Sequence, residues 1–170
     1  QLILNGHTEI GVIGKEPCDK RLYVEVLWQD QLVLVAPAGY PVPGHGKTIS
    51  MEQLVTEPFV VRKRGSGTRE NIEGYLQKKG RLSLAAFNIV GEMGSSEAVK
   101  EAVIGGLGLS IISLYAVERE LKQGLLVLVP LEGGNIERNF YLIYRKHLHL
   151  LNYHRRFLEM LQASVSARLL

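Results

Sequence analysis

From Phe59 onward the chain alternates short continuous apolar runs with segments of helical period, and this order constrains the fold more than any other feature of the sequence. "FVVRK" predicts a strand, 68–79 a helix stopped by Gly80, "AAFNIVGEM" a strand, 96–104 a helix stopped by Gly105 and Gly106, and "LSIIS" a strand. A helix over 115–122 closed by Gly124 and the strand "LLVLVP" continue the pattern. Strands that are apolar at successive positions are buried on both faces, so the order predicts an α/β protein with a parallel or mixed sheet covered by helices on both sides. After the turn "EGGN" come the strand "RNFYLIYRK" and an amphipathic helix over 152–170, with Phe157, Leu158, Leu161 and Val165 on one stripe.

The segment before Phe59 is less regular. Leu2 to Leu4 end a helical segment that Gly6 stops, and "TEIGVIG" predicts a buried strand. "LYVEVLWQDQLVLVAP" predicts two strands broken around 29–31, and "PAGYPVPGHG" a turn-rich connection in which two residues precede prolines and are biased away from helix. Ser50 and Gln53 have the spacing of a capping box opening a short helix.

With 170 residues the chain can bury a core as one domain or two small lobes. Its formal charge of +3 is too weak by itself to argue for nucleic acid. A single cysteine, Cys18, excludes an intrachain disulfide and a cysteine-rich zinc site, and fits a reducing compartment. The longest apolar run, "AVIGGLGLSII", is too short and too glycine-rich to span a bilayer, and nothing resembles a signal peptide. The expectation is a soluble, cytoplasmic protein whose start, lacking an initiator methionine, is a processed end or a boundary inside a longer chain.

Ligands of βα proteins bind beyond the carboxyl ends of the strands, where helix N-termini present free N–H groups. "RKRGSGTR" occupies that position after the strand at Phe59. Gly65 and Gly67 allow tight turns, Ser66 and Thr68 can cap the helix or donate to a ligand, and Arg62, Lys63, Arg64 and Arg69 raise the local potential. Arg69, in the helix's first turn, opposes the macrodipole and calls for an anion or an acidic side chain nearby. Two readings stand: an anion cradle, or a capped helix start whose cations are solvated or paired with Glu70 and Glu73. It is not a P-loop. Gly94, Ser95 and Ser96 repeat the pattern one unit later, where capping is the simpler reading, and two such starts on neighbouring parallel strands would converge on one crevice. "GGLGLSII" reads first as a helix cap followed by a strand. His147 and His149 have no acidic or cysteine partner and read as loop histidines rather than metal ligands. Trp28 reads as core or lobe interface. No nucleophile with a matching base stands out, so catalysis is not expected.

The ordered set "GVIGKEP", "LWQDQLVLVAPAGYP", "ISMEQLVTEPFVVRKRGSGTRENIEGYL", "GSSEAVKEAVIGGLGLSIIS", "VERELKQGLLVLVPLEG" and "NFYLIYRK" resembles the effector-binding domain of LysR-type bacterial transcriptional regulators over essentially the whole chain. The resemblance implies two Rossmann-like lobes of the type 2 periplasmic-binding-protein fold, joined by two crossover strands near 35–37 and 125–129. Lobe I would hold 1–35 and 126–170, and lobe II 36–125. It further implies a small, commonly anionic effector in the cleft between lobes, and assembly as a homodimer or homotetramer. Promoter DNA would be contacted only through a winged helix-turn-helix domain outside this chain, and no cofactor, metal or membrane is implied. Carried over, Arg62, Arg64, Gly65, Ser66, Gly67 and Thr68 would form the lobe II wall, with Gly94, Ser95, Ser96 and the 106–108 loop nearby. Ile13, Gly14 and Lys15 would belong to the lobe I wall. The first strand, helix and strand of lobe I are expected to be missing, with a loop that supplies hydroxyls to the effector, and exposed apolar surface is the expected result. An oxyanion-binding transport protein of the same fold is the alternative. An enzyme would have only Ser66, Thr68 and Glu92 to work with, and no convincing base.

Overall fold

A computed structural model describes residues 1–41, 48–79 and 82–166. Strands β1 (Ile10–Ile13), β2 (Leu22–Pro37), β3 (Phe59–Arg62), β4 (Ile89–Met93), β5 (Ser110–Ser113), β6 (Leu126–Val129) and β7 (Ile136–Arg145) alternate with helices α1 (Met51–Leu54), α2 (Gly67–Lys79), α3 (Ser96–Ile104), α4 (Leu114–Lys122) and α5 (Asn152–Ser166). The chain divides into two compact units, Gln1–Gln29 with Asn139–Leu170, and Asp30–Arg138. The divisions fall inside β2 and β7. Within the second unit, β6 is a short strand that lies antiparallel to Leu34–Pro37.

In the second unit, β3 and β4 are parallel, Arg62 facing Met93. A parallel bridge between Phe59 and Leu109 gives β5 the same direction as β3, and β5 pairs antiparallel with β2, Leu32 facing Ser113. Side chains alternate across each strand, which is why "FVV" is apolar throughout. Phe59, Val61 and Ile111 pack with Ile72 and Leu76, while Val60 and Ile112 pack with Val99, Val103 and Val117 on the other face. The expected α/β layering is therefore present in this unit.

Gly108 is needed where two backbones meet. It sits at φ +152°, and a Cβ there would lie 2.3 Å from the Pro58 carbonyl oxygen. That closeness lets the Leu109 N–H donate to the same oxygen at 2.8 Å.

α1 opens with the expected capping box. The Gln53 N–H donates to Ser50 Oγ at 3.3 Å and the Ser50 N–H to Gln53 Oε1 at 2.9 Å. Ser50→Ala is expected to lower stability by about 1 kcal/mol, read as a shift in the urea midpoint with an unchanged slope.

In the first unit β1 runs antiparallel to β7, Ile10 facing Tyr144. Its core is small: Ile3, Leu22 and Ile143, with Leu4, Ile13, Val24 and Tyr141 packed around them. A helical turn at residues 2–6 ends at Gly6, φ 77°. Phe157 of α5 is exposed and Leu158 and Leu161 are half-buried, while the side chain of Val165 lies outside the described residues. Much of the predicted "PAGYPVPGHG" connection, the Gly80 stop and residues 167–170 also lie outside them.

β2 is unbroken over 16 residues, against the expectation of two strands. The polar stretch 29–31 is not a turn: Asp30 at its centre is buried and ionically paired. A charge on an inward position can interrupt a hydrophobic pattern without interrupting the ladder.

Candidate anion site

Three parallel strands of the second unit end together, and their carboxyl ends deliver Arg62 from β3, Gly94 to Ser96 after β4 and Ser113 from β5. Lys63 to Ser66 turn the chain from β3 into α2. The Ser66 N–H donates to the Lys63 carbonyl at 3.2 Å, and Gly65 has φ 81°. Gly65 and Arg64 are exposed, while Ser66 and Gly67 are half-buried.

Arg62 ties the two helix starts together. Its Nη1 donates to Ser96 Oγ at 2.8 Å and its Nη2 to the Gly94 carbonyl at 3.0 Å. Its Nε is buried with no hydrogen-bond partner among the described residues. Burial, and then the positive charge of Arg138, push the Arg62 pKa below the usual arginine value. Both Nη contacts are with neutral acceptors, so this guanidinium retains unspent positive charge and one unused donor.

Ser95 is the N-cap of α3, its Oγ accepting from the Ala98 N–H at 3.1 Å. The capping reading therefore holds for Ser95, while Ser96 and Gly94 serve Arg62. Arg69 is also resolved. It is buried, donates through Nε to Glu73 at 3.0 Å and through Nη1 to Glu92 at 2.7 Å, and donates to the Arg62 carbonyl at 3.2 Å. Its counter-anions are side chains of this unit. The Arg69 guanidinium in turn holds the Glu92 carboxyl below its usual range.

Beneath the Arg62 turn lies a network the sequence did not announce. Asp30 Oδ2 accepts from Arg138 Nε and Nη2, each at 2.7 Å. Asp30 Oδ1 accepts from Ser113 Oγ at 3.0 Å. Arg138 Nη1 reaches Thr68 Oγ1 at 3.2 Å. All four residues are buried. The available signal was an acidic residue on the inward phase of β2 within the polar stretch 29–31, matched by an arginine on the inward phase of β7.

The 106–108 loop is not at this site. It precedes β5, and Leu109, just before that strand, bridges Phe59 at the beginning of β3, so Gly106 and Gly108 sit at the amino ends of the strands that carry Arg62 and Ser113 at their carboxyl ends. Gly14 and Lys15 follow β1 in the first unit, Gly14 half-buried and Lys15 exposed. Among the described residues no group of three or more potential metal ligands is gathered, and no helix is long and apolar enough to cross a membrane.

The family described as the LysR substrate binding domain matches residues 1–166. The chain is 35% identical over 161 residues to the HTH-type transcriptional activator CmpR of Synechocystis, covering 95% of this chain and 51% of that protein. It is 34% identical over 146 residues to the RuBisCO operon transcriptional regulator of Allochromatium vinosum, covering 86% and 47%. The chain thus spans about half the length of the curated relatives it matches. Among solved structures, the Synechocystis CcmR regulatory domain in complex with 2-PG matches with a TM-score of 0.82 at 24% identity, covering 96% of this chain and 76% of that one. The cofactor-binding domain of the Cbl transcriptional regulator matches with a TM-score of 0.75 at 21% identity, covering 95% and 69%. The fold is accordingly the type 2 periplasmic-binding-protein-like α/β fold, and the chain belongs to the LysR substrate binding domain family.

Proposed function

We propose that this chain is the ligand-sensing part of a LysR-type transcriptional regulator. It binds a small anionic metabolite in the cleft between its lobes and thereby sets the DNA-binding state of a homodimer or homotetramer. DNA itself is contacted by a helix-turn-helix domain elsewhere in the protein. The observation that carries the reading is Arg62, a partly buried guanidinium with an unused Nε and neutral partners, set where two helix starts converge. Such a charge is costly to leave uncompensated, and a ligand anion supplies the missing partner.

Arg64, Gly65, Ser66, Gly67 and Thr68 line the same turn, and the family resemblance extends the proposal to Gly14 and Lys15 of the first unit. Relatives that carry the names of transcriptional regulators favour sensing over the transport alternative. Binding energy reaches the DNA only if the effector prefers one closure state, so affinity for effector and affinity for promoter must be linked.

Titration calorimetry of the full-length protein against sulfate, inorganic phosphate and 2-PG tests the site. Arg62→Gln is expected to weaken anion binding by about ten- to a hundredfold. Anion binding that is absent in the wild type, or unchanged in this variant, removes the assignment.

A further inference from the structure

We propose that the Asp30–Arg138 pair makes the site selective for fully ionised, acceptor-only oxyanion groups over those that still carry an acid proton. This rests on the anion-sensing reading above and goes further, to the protonation state of the ligand.

At this end of the second unit the protein's own donors engage its acceptors. Both Asp30 oxygens are engaged, Oδ2 by Arg138 and Oδ1 by Ser113. The Gly94 carbonyl and Ser96 Oγ accept from Arg62, and the Arg62 carbonyl accepts from Arg69. Glu92 takes the Arg69 guanidinium and the Arg64 backbone N–H. Each of these acceptors already has a donor from within the protein. The donors are in surplus, with Arg62 Nε unused.

Thr68, like Ser66 and Ser96, can serve either way, because a hydroxyl has one proton and two lone pairs, and of the three Thr68 is the buried one, set against Arg138. Arg138 Nη1 occupies a lone pair at 3.2 Å, and the positive charge behind that N–H repels the hydroxyl proton, so the O–H turns away from Arg138 and is presented as a donor. Asp30 makes this orientation permanent by gripping Arg138 through two hydrogen bonds of 2.7 Å. A ligand oxygen without a proton is satisfied by such a site. A protonated acid oxygen brings its donor against the Thr68 hydroxyl proton, and one unmatched contact of this kind to a charged ligand corresponds to about a tenfold loss in affinity.

The test compares sulfate with inorganic phosphate below neutral pH, where phosphate is largely the twice-protonated monoanion and sulfate carries no proton. Calorimetry of the full-length wild type is expected to give sulfate an advantage of about tenfold that shrinks as the pH is raised and phosphate loses a proton. In the double variant Asp30→Asn/Arg138→Met, the Thr68 hydroxyl is free to rotate, so sulfate binding weakens and the advantage collapses to near parity. Thr68→Val removes the advantage as well, and Thr68→Ser retains it. Far-ultraviolet circular dichroism and a urea titration of each variant confirm that the comparison is between folded proteins. Equal binding of both anions by the wild type overturns this inference and leaves the sensing reading standing. An advantage that survives the double variant unchanged also overturns it. Failure to bind either anion overturns both.

Discussion

Asp30→Ala should cost about 3–5 kcal/mol of unfolding free energy, the largest single-residue effect anticipated for this chain. The substitution removes the carboxylate that accepts two hydrogen bonds from Arg138 and leaves that guanidinium, 5% exposed, without its counter-ion. It also strands the buried Ser113 hydroxyl, which donates to Asp30. Most of the loss comes from the charge left behind rather than from the pair itself, since the desolvation of two ions largely offsets their attraction. The double variant Asp30→Asn/Arg138→Met should therefore be markedly more stable than Asp30→Ala. Urea unfolding of the three proteins, followed by circular dichroism, checks both statements. An Asp30→Ala protein with wild-type stability would mean that the network is relaxed by water in solution.

The second large effect is steric. Gly108→Ala is expected to destabilise by about 3 kcal/mol or more, combining overpacking with a disfavoured positive φ. The new methyl would fall 2.3 Å from the Pro58 carbonyl oxygen, and backbone cannot swing aside as a side chain can. Gly65→Ala is the control. Its φ is +81° but nothing lies within 4 Å of the added carbon, so only the conformational term remains, about 1–2 kcal/mol. Thermal or urea denaturation of the two variants separates crowding from backbone preference. Equal losses would show that the Pro58 contact relaxes at little cost.

The same residues show what the sequence could and could not disclose. The alternation after Phe59 gave the order of strands and helices in the second unit because β3 and β5 are buried at successive positions; β4 and β6 are partly exposed, and Leu84–Ala86 form a short 3-10 turn where the strand "AAFNIVGEM" was expected to begin. Ser50 with Gln53, and the helix over 96–104, were legible because caps are local chemistry. The convergence of Arg62 with Gly94 and Ser96 followed from two successive βα units on parallel strands. Asp30 was misread because a polar residue in an apolar run looks like a turn when its partner, Arg138, lies far along the chain. The 106–108 loop was misplaced for a different reason: it precedes its strand, and the strand polarity alone puts it at the end away from Arg62. For Arg69 the sequence offered two counter-charges, a ligand or a carboxylate, and only the fold could bring Glu92 from the neighbouring strand to decide between them.

The interruption of the first unit by the second has a consequence for the order of folding. Residues 30–138 are inserted between the two halves of the first unit, so the second unit is complete on the ribosome before Asn139 emerges. β1 must wait for β7, its partner across the whole insertion, and such non-local pairing is slow. In pulse-labelled hydrogen exchange during refolding, the amides of β3, β4 and β5 should gain protection before those of β1, making the first unit the later-maturing and more aggregation-exposed part of nascent chains.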